Sequence, residues 1–194
     1  MAFIEIENVT HTYGGQAGAS ATLAVEGLSI RVNEGEFAAV VGPSGCGKST
    51  LMKLATGLQF PQKGNVMVDG RKVDRPVKIA GMAFQNPVML PWRTVLENIM
   101  LPLEIVQPHR SQLREKKAEY VEKAEQLLTT VGLKGMGQKF PWQLSGGMQQ
   151  RASLCRSLIH DPKLLMLDEP FGALDAFTRC LLYTSPSPRD RTRS

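Results

Sequence analysis

The sequence contains few aromatic residues and no long hydrophobic run. Aromatic side chains make up 6% of its 194 residues, whereas glycine occurs 18 times, a balance that favours an aliphatic core with tight turns over an aromatic-rich β-sandwich. No apolar run approaches the ~20 residues that span a bilayer, and the N-terminus lacks the basic and apolar segments of a signal peptide. We therefore expect one domain that is cytoplasmic or peripheral to a membrane.

The cysteines and the net charge argue against a disulfide-stabilised, a zinc-binding or a nucleic-acid-binding protein. Cys46, Cys155 and Cys180 form no CxxC pair, so neither a disulfide framework nor a zinc site is indicated. The formal net charge of +5 includes +2 from the last fifteen residues, where three arginines accompany one aspartate. The rest of the charge is ordinary for a globular domain, and the absence of a basic stripe interleaved with aromatics argues against nucleic-acid binding.

Hydrophobic patterning predicts strands in the first part of the chain. The apolar residues of 3–9 and 22–32 are spaced as in β-strands, and we expect these two segments to pair in antiparallel fashion. The run at 36–42 is uniformly apolar, which is typical of a strand buried on both faces of a parallel sheet.

A helix and a second strand pair are predicted next. Residues 48–57 read as a helix that Gly57 closes. Another strand pair is expected over 64–84, with Asp69 and Gly70 as its turn.

Helical patterns dominate from residue 94 onwards. Thr94 can cap a helix, with Glu97 three residues on as in a capping box, and Ser111 is expected to cap a second, longer helix with a solvated lysine and glutamate face. The apolar residues of that second helix recur at roughly helical spacing: Leu113, Ala118, Val121, Ala124, Leu127 and Leu128. A third helix begins near Ser145, and 163–170 reads as a second strand buried on both faces. This order predicts a parallel α/β core with a helical insertion of roughly 60 residues.

The residues Gly42–Thr50, which read GPSGCGKST, fit the spacing of a phosphate-binding loop. The predicted strand before them and the predicted helix after them would place backbone N–H groups around a di- or triphosphate. Lys48 can reach the outer phosphates, and the Ser49 hydroxyl can bind Mg²⁺. We call Gly42–Thr50 the phosphate loop.

Two acids follow the apolar strand LLML. Carboxylates at the carboxyl end of a parallel strand lie where ligands bind in open α/β sheets. Asp168 is therefore positioned to hold Mg²⁺, and Glu169 is the candidate to orient and deprotonate an attacking water. The alternative is an acid pair that caps a helix.

A second candidate anion site lies in QLSGGMQQR, at 143–151. Ser145, Gly146 and Gly147 open a helix with bare amides, which favours bound negative charge. The alternative is an ordinary N-cap with a flexible lead-in.

Four motifs in this order carry a family resemblance. GPSGCGKST, AFQNPVMLPW, LSGGMQQR and LLMLDEPFGALD resemble the Walker A, Q-loop, signature, and Walker B and D-loop motifs of ABC transporter ATP-binding subunits. The resemblance covers about residues 2–179, and the motif wording is similar to the nitrate, sulfonate and taurine import branch. It implies an α/β P-loop NTPase core with an N-terminal antiparallel β subdomain and an inserted α-helical subdomain at about 90–158.

The resemblance also implies a nucleotide site shared between two head-to-tail subunits. Gln85 would touch Mg²⁺ and the attacking water, Asp175 would cross the interface, and Tyr13 would stack on adenine unless it is an ordinary half-buried loop aromatic. The implied ATP contacts are Tyr13, Gly42, Pro43, Ser44, Gly45, Cys46, Gly47, Lys48, Ser49, Thr50, Ser145, Gly146 and Gly147. The implied catalytic residues are Glu169, Lys48 and Gln85, and the implied Mg²⁺ ligands are Ser49, Gln85 and Asp168.

The partners implied by the resemblance lie at a membrane. A second copy, membrane permease subunits and, by analogy, an extracytoplasmic solute-binding protein would assemble with the chain at the cytoplasmic face. The segment through Pro91 and Trp92 would contact the permease, although for Trp92 packing between subdomains is an alternative. Three rival interpretations are a soluble ABC ATPase acting on DNA or ribosomes, a P-loop kinase, and an inactive fragment.

The sequence stops matching the family after Arg179. Residues 180–194, CLLYTSPSPRDRTRS, contain neither the amphipathic helix nor the strand with a switch histidine that the family implies next. Reverse translation yields codons that resemble a transposase adapter used in sequencing libraries, so we expect a non-native tail; a disordered native tail or a basic nucleic-acid arm is the alternative. A missing central strand would leave backbone unpaired, which predicts a poorly stable and nearly inactive fragment.

Overall fold

The computed structural model describes residues 2–14 and 22–168. The chain divides into two compact units, one ending at Val77 and the other beginning at Lys78. Within the described ranges, none of the helices combines the length and the hydropathy needed to cross a bilayer.

The first unit is built on a four-stranded antiparallel sheet. Its strands are β1 (Ala2–Tyr13), β2 (Thr22–Asn33), β3 (Lys63–Val68) and β4 (Arg71–Lys72), in the order β2-β1-β3-β4. Alternate residues of β1 and β3 point into the core, which buries Ile4, Ile6, Val9, Val66 and Val68. The antiparallel pairing of the first two strands is confirmed.

The turn between β3 and β4 is formed by Asp69 and Gly70, as predicted. Both residues have positive φ, 51° and 69°, which is the requirement of a type I′ hairpin turn. The predicted pair over 64–84 is wrong at its C-terminal end, because residues 80–83 leave this sheet and pair elsewhere.

The predicted strand at 36–42 is also wrong. These residues form no strand, and Phe37 and Val41 are 85% and 91% exposed. An apolar run becomes a buried parallel strand only where neighbours flank it, and in the described part of the chain parallel pairing is limited to two other strands.

Helix α1 (Lys48–Ala55) follows the phosphate loop and buries Leu51 and Leu54. Gly57 ends it with a φ of 71° and donates its N–H to the carbonyl of Leu54. An added Cβ at Gly57 would overlap the Arg75 carbonyl. Only glycine therefore fits this helix end, as predicted.

The second unit contains a two-stranded parallel sheet of β5 (Ala80–Ala83) and β6 (Leu164–Leu167). All four β6 residues are half-buried, so the expectation of a strand buried on both faces is wrong in degree. Among the described strands β6 pairs with β5 alone, which covers one edge of β6. The predicted strand itself is confirmed.

The α-helices described in this unit lie around one apolar core, to which all but the short helix at 109–112 contribute buried residues. They are α2 (Val95–Met100), α3 (His109–Gln112), α4 (Lys117–Thr130) and α5 (Gly146–Leu158), with 3-10 turns at Leu101–Glu104 and Pro141–Gln143. The fully buried core residues include Val95, Ile99, Leu103, Leu128 and Ile159. On α4, Lys117, Glu119 and Glu122 are exposed, which confirms the solvated charged face.

The capping prediction holds for one helix and fails for another. Thr94 and Glu97 form a reciprocal capping box on α2. Ser111 lies inside α3, where its hydroxyl donates to the Pro108 carbonyl at 2.8 Å, and the long helix begins six residues later, at Lys117. The prediction for Ser111 is wrong because a serine hydroxyl used on a nearby carbonyl forms a local turn instead of a cap.

Candidate functional site

The phosphate loop is closed around the ammonium group of Lys48. Nζ of Lys48 donates to the carbonyls of Gly42 and Pro43 at 2.9 and 2.8 Å and lies 4.0 Å from Sγ of Cys46. Gly47 is the N-cap of α1 with a φ of 96°, and an added Cβ there would overlap the Ala24 carbonyl. The loop therefore requires glycine at this position and holds a positive charge at its centre.

The N-terminus of α1 suits a polyphosphate. The first N–H groups of a helix have no acceptor within the helix, and the first turn of α1 contains no acidic residue. Residues 42–46 are exposed, and a Cβ at Gly45 would meet nothing within 4 Å. Backbone amides, one ammonium group and the Ser49 hydroxyl thus lie in a solvent-exposed loop. These are the donors that phosphate oxygens need.

Tyr13 is fixed to the same helix. Its hydroxyl donates to Oε1 of Gln59 at 2.7 Å and lies 3.0 Å from Oγ1 of Thr50, in the first turn of α1. The His11 ring meets the Tyr13 ring edge-on at 5.0 Å. Tyr13 as a residue is 37% exposed, so part of this aromatic side chain beside the phosphate loop is accessible.

In the second unit, Gln85 and Asp168 lie at one edge of the parallel sheet. The register pairs Ala83 with Leu167, and the N–H of Asp168 donates to the Ala83 carbonyl at 2.9 Å. Asp168 is 8% exposed. Both residues follow the carboxyl ends of neighbouring parallel strands, the edge at which α/β sheets bind ligands. Glu169, Asp175 and Cys180 lie outside the described residues.

Ser145 caps α5. Its Oγ accepts from the N–H of Met148 at 3.4 Å, and Ser145 and Gly146 are exposed. A Cβ at Gly146 would meet nothing within 4 Å, so the amides of this helix start can be approached from outside. The N-cap alternative and the anion-site prediction are therefore compatible, because the same residues supply both.

The side chains present also limit how Mg²⁺ could be bound. The described residues contain no group of three or more His, Cys, Asp or Glu side chains that could hold a metal ion. Mg²⁺ is usually held by one or two carboxylates together with substrate phosphates and waters. The hydroxyl of Ser49 in the first unit and the carboxylate of Asp168 in the second are each of the kind of oxygen ligand that Mg²⁺ takes.

The predicted residues fall into two groups. Tyr13 and the phosphate loop belong to the first unit, whereas Gln85, the Ser145 helix start and Asp168 belong to the second. Trp92 is 72% exposed, so the described residues of its own unit do not bury it.

Two residues that bind the backbone shortly after Gln85 were not predicted from the sequence. Asn98 is fully buried; its amide oxygen accepts from the Leu90 N–H at 2.7 Å and its amide nitrogen donates to the Leu90 carbonyl at 3.0 Å. Arg156 donates from Nη1 to the Val88 carbonyl at 2.6 Å. The available signal was a polar residue on the apolar face of a helix, such as Asn98 between Val95 and Ile99.

Comparisons with known proteins agree with these motifs. The sequence profile described as ABC transporter matches residues 25–172. The chain is 39% identical to the taurine import ATP-binding protein TauB of Escherichia coli (strain K12) over 181 residues, 93% of this chain and 66% of that protein. It is 43% identical to the bicarbonate transport ATP-binding protein CmpD of Synechocystis sp. over 178 residues, 92% of this chain and 61% of that protein.

A solved structure is similar throughout most of the chain. It is an ATP-binding cassette in a dimeric post-hydrolysis state bound to ADP and Pi, with a TM-score of 0.76 and 32% identity, and it covers 90% of this chain and 77% of that chain. The chain spans less than two thirds of the length of the two curated relatives.

Proposed function

Since this chain belongs to the ABC transporter family, we propose that it is the ATP-hydrolysing subunit of a membrane importer for a small oxyanion or organic solute. The observation that carries the proposal is the closure of the phosphate loop around Lys48 at the start of α1. The same chain provides a second exposed helix start at Ser145, which a nucleotide bound by one subunit alone does not need.

The nucleotide is bound between two copies of the chain. The phosphate loop of one copy surrounds the phosphates, and Ser145, Gly146 and Gly147 of the other copy approach the γ-phosphate with their amides. Each helix start carries a partial positive charge, and neither α1 nor α5 has an acidic residue in its first turn. Two such ends repel each other until a polyanion lies between them, so ATP links the two copies.

The individual roles follow from the donor chemistry. Lys48 exchanges its loop carbonyls for the outer phosphate oxygens. Ser49, Gln85 and Asp168 would hold Mg²⁺, which would neutralise phosphate charge. Glu169 takes the proton of the water that attacks the γ-phosphorus as the bond to the ADP oxygen breaks.

The adenine ring of ATP is held by Tyr13. Its hydroxyl is committed to Thr50 and Gln59, which leaves the ring face for stacking on adenine. Because Thr50 lies in the first turn of α1, the base and the phosphates are bound by one connected element.

The proposed partners lie at the membrane. The exposed Trp92 and the residues around it contact permease subunits at the cytoplasmic face, and a solute-binding protein delivers the substrate on the opposite side. The substrate class rests on the two relatives, which are named for taurine import and bicarbonate transport. Both solutes are small and carry an anionic oxygen group.

Phosphate release tests the activity. Full-length protein given Mg²⁺ and ATP without any acceptor should release inorganic phosphate, and Lys48→Ala should reduce the rate by roughly 100-fold. A P-loop kinase would release none without its acceptor. Recovery with a multi-span membrane protein supports the importer, whereas recovery with ribosomes or DNA supports a soluble ABC ATPase.

A variant that binds ATP without hydrolysing it tests whether two copies share the nucleotide site. Glu169→Gln should hold ATP and elute as a dimer in size-exclusion chromatography with light scattering. Tight nucleotide binding by a monomer would refute the sandwich.

The adapter hypothesis concerns residues 180–194, which lie outside the described residues. Source DNA read past codon 179 tests it: a different in-frame continuation supports the adapter, and the same tail in genomic DNA contradicts it. Phosphate release by the 194-residue chain in turn tests the inactive-fragment alternative.

A further inference from the structure

Arg156 joins two elements that the proposed function uses separately. From the C-terminal half of α5, its Nη1 donates to the carbonyl of Val88, three residues after Gln85. We infer that Arg156 is a positioning residue that couples the Gln85 segment to the helix beginning at Ser145; this inference rests on the proposed function. The Gln85 segment here means residues 85–90.

The C-terminal half of α5, which carries Arg156, packs tightly against its neighbours. Ala152 and Cys155 of α5 and Ile159 directly after it are fully buried in the helical core, and an added Cβ at Gly81 of β5 would overlap the Ser157 carbonyl. Gly146 and Arg156 are separated by about 15 Å along the helix axis, since each helical residue rises ~1.5 Å. A displacement of the helix start is therefore transmitted to Arg156 as a rigid-body movement.

The Gln85 segment is fixed at its far end and held by Arg156 in its middle. Asn98 binds both backbone groups of Leu90 at 2.7 and 3.0 Å. Val88 lies between that fixed point and Gln85, so the bond to Arg156 sets where Gln85 leaves the sheet edge. When α5 moves, the amide of Gln85 moves with it.

The chemistry of this bond favours a coupling role over a merely structural one. Val88 is 65% exposed, so water can replace the guanidinium if the arginine is removed, and the fold need not collapse. Burial lowers the pKa of Arg156 from its usual value. Its second contact, from Nη2 to Oγ of Ser153, is longer at 3.4 Å.

Arg156→Met and Arg156→Lys in the full-length protein test the inference. Methionine keeps the apolar stem, and lysine keeps one donor. For Arg156→Met we expect kcat to fall about tenfold while the KM for ATP stays within about twofold, because the substrate still binds and Gln85 is misplaced. Arg156→Lys should recover most of kcat. Ser153→Ala, which removes only the longer contact, is the matched control and should keep the wild-type kcat.

Hydrogen exchange supplies a readout that does not depend on activity. The amides of residues 86 and 88–90 should exchange faster in Arg156→Met, while those of α5 keep their protection. An unchanged kcat in Arg156→Met beside an active wild type overturns the inference alone. A structural role is indicated instead if kcat falls, the KM for ATP rises and α5 loses its exchange protection, all without rescue in Arg156→Lys. That result also overturns the inference. An inactive wild type overturns the proposed function and this inference together.

Discussion

The hydroxyl oxygen of Tyr13 lies 3.0 Å from Oγ1 of Thr50, although the two residues are 37 positions apart in the chain. Because this hydroxyl donates its one proton to Gln59, Thr50 is the donor in the bond to Tyr13. The end of β1 is thereby tied to the first turn of α1, and the tyrosine ring is held beside the phosphate loop.

Substitutions of Tyr13 separate this anchoring from stacking. Tyr13→Phe loses both hydrogen bonds but keeps the ring, so we expect a loss of about 1 kcal/mol in the free energy of unfolding and nearly unchanged ATP affinity. Tyr13→Ala should also weaken ATP binding, roughly tenfold. Titration with a fluorescent ATP analogue and urea unfolding measure the two effects. Equal losses of affinity in both variants would exclude the stacking role.

The cysteines predict a labelling pattern. Cys46 is exposed in the phosphate loop, whereas burial raises the pKa of the Cys155 thiol to about 12, so Cys155 holds almost no reactive thiolate. In a Cys180→Ser background, a maleimide should modify Cys46 alone, and ATP with Mg²⁺ should slow that reaction. Mass spectrometry of peptides identifies the site. Labelling of Cys46 at the same rate with and without nucleotide would contradict ATP binding in this loop.

Two glycines of the second unit predict opposite effects on stability. Gly81→Ala forces a Cβ against the Ser157 carbonyl, and we expect a loss of about 2–4 kcal/mol because backbone must shift. Gly146→Ala meets open space at the start of α5, so the free energy of unfolding should stay the same or rise slightly. Urea unfolding at neutral pH compares them. A neutral Gly81→Ala would show that β5 and α5 pack less closely than described.

His160 predicts a loss of stability in acid. Its ring is buried, and desolvation by burial is the main reason that its pKa lies below the usual 6.5. His109, Lys123 and Asp161 are the charged or titratable groups that act on it. Because the unfolded chain binds the proton more readily than the folded chain, the stability due to neutral His160 is present above pH 6.5 and is lost as the pH falls towards the lowered pKa.

Urea midpoints measured at pH 8 and pH 5.5 check this dependence. They should differ less in His160→Asn than in the wild type, since asparagine does not titrate. The same difference in both proteins would assign the pH dependence to other groups.

Short-range features could be predicted from the sequence and the rest could not. The turn at Asp69 and Gly70, the capping box of Thr94 and Glu97, and the glycine that ends α1 were all predicted. Each depends on dihedral angles and hydrogen bonds within a few residues. The α/β fold with an antiparallel subdomain and a helical subdomain was predicted as well, through the order of the motifs, and the solved relative supports it.

Two of the three failures concern strand partners distant in sequence, and the third concerns a local hydrogen bond. The apolar run at 36–42 resembles a buried strand, yet the described chain provides it with no flanking strands. Residues 80–83 pair with residues 164–167 instead of with the hairpin before them, and Ser111 turns inwards on Pro108. For the two strands, neighbours distant in sequence decided between two structures that the local pattern allowed, whereas for Ser111 a carbonyl three residues away decided it.

The sequence by itself determined the chemistry of the site: which residues carry amides, ammonium, hydroxyl and carboxylate groups, and in what local geometry. Those properties are covalent or act over a few bonds, so spacing alone reveals them. Only the tertiary structure decided that Thr50 anchors Tyr13 and that Arg156 holds Val88, 68 residues away. Such contacts depend on how elements pack, and packing energy is a property of surfaces that meet in space, which no local pattern encodes.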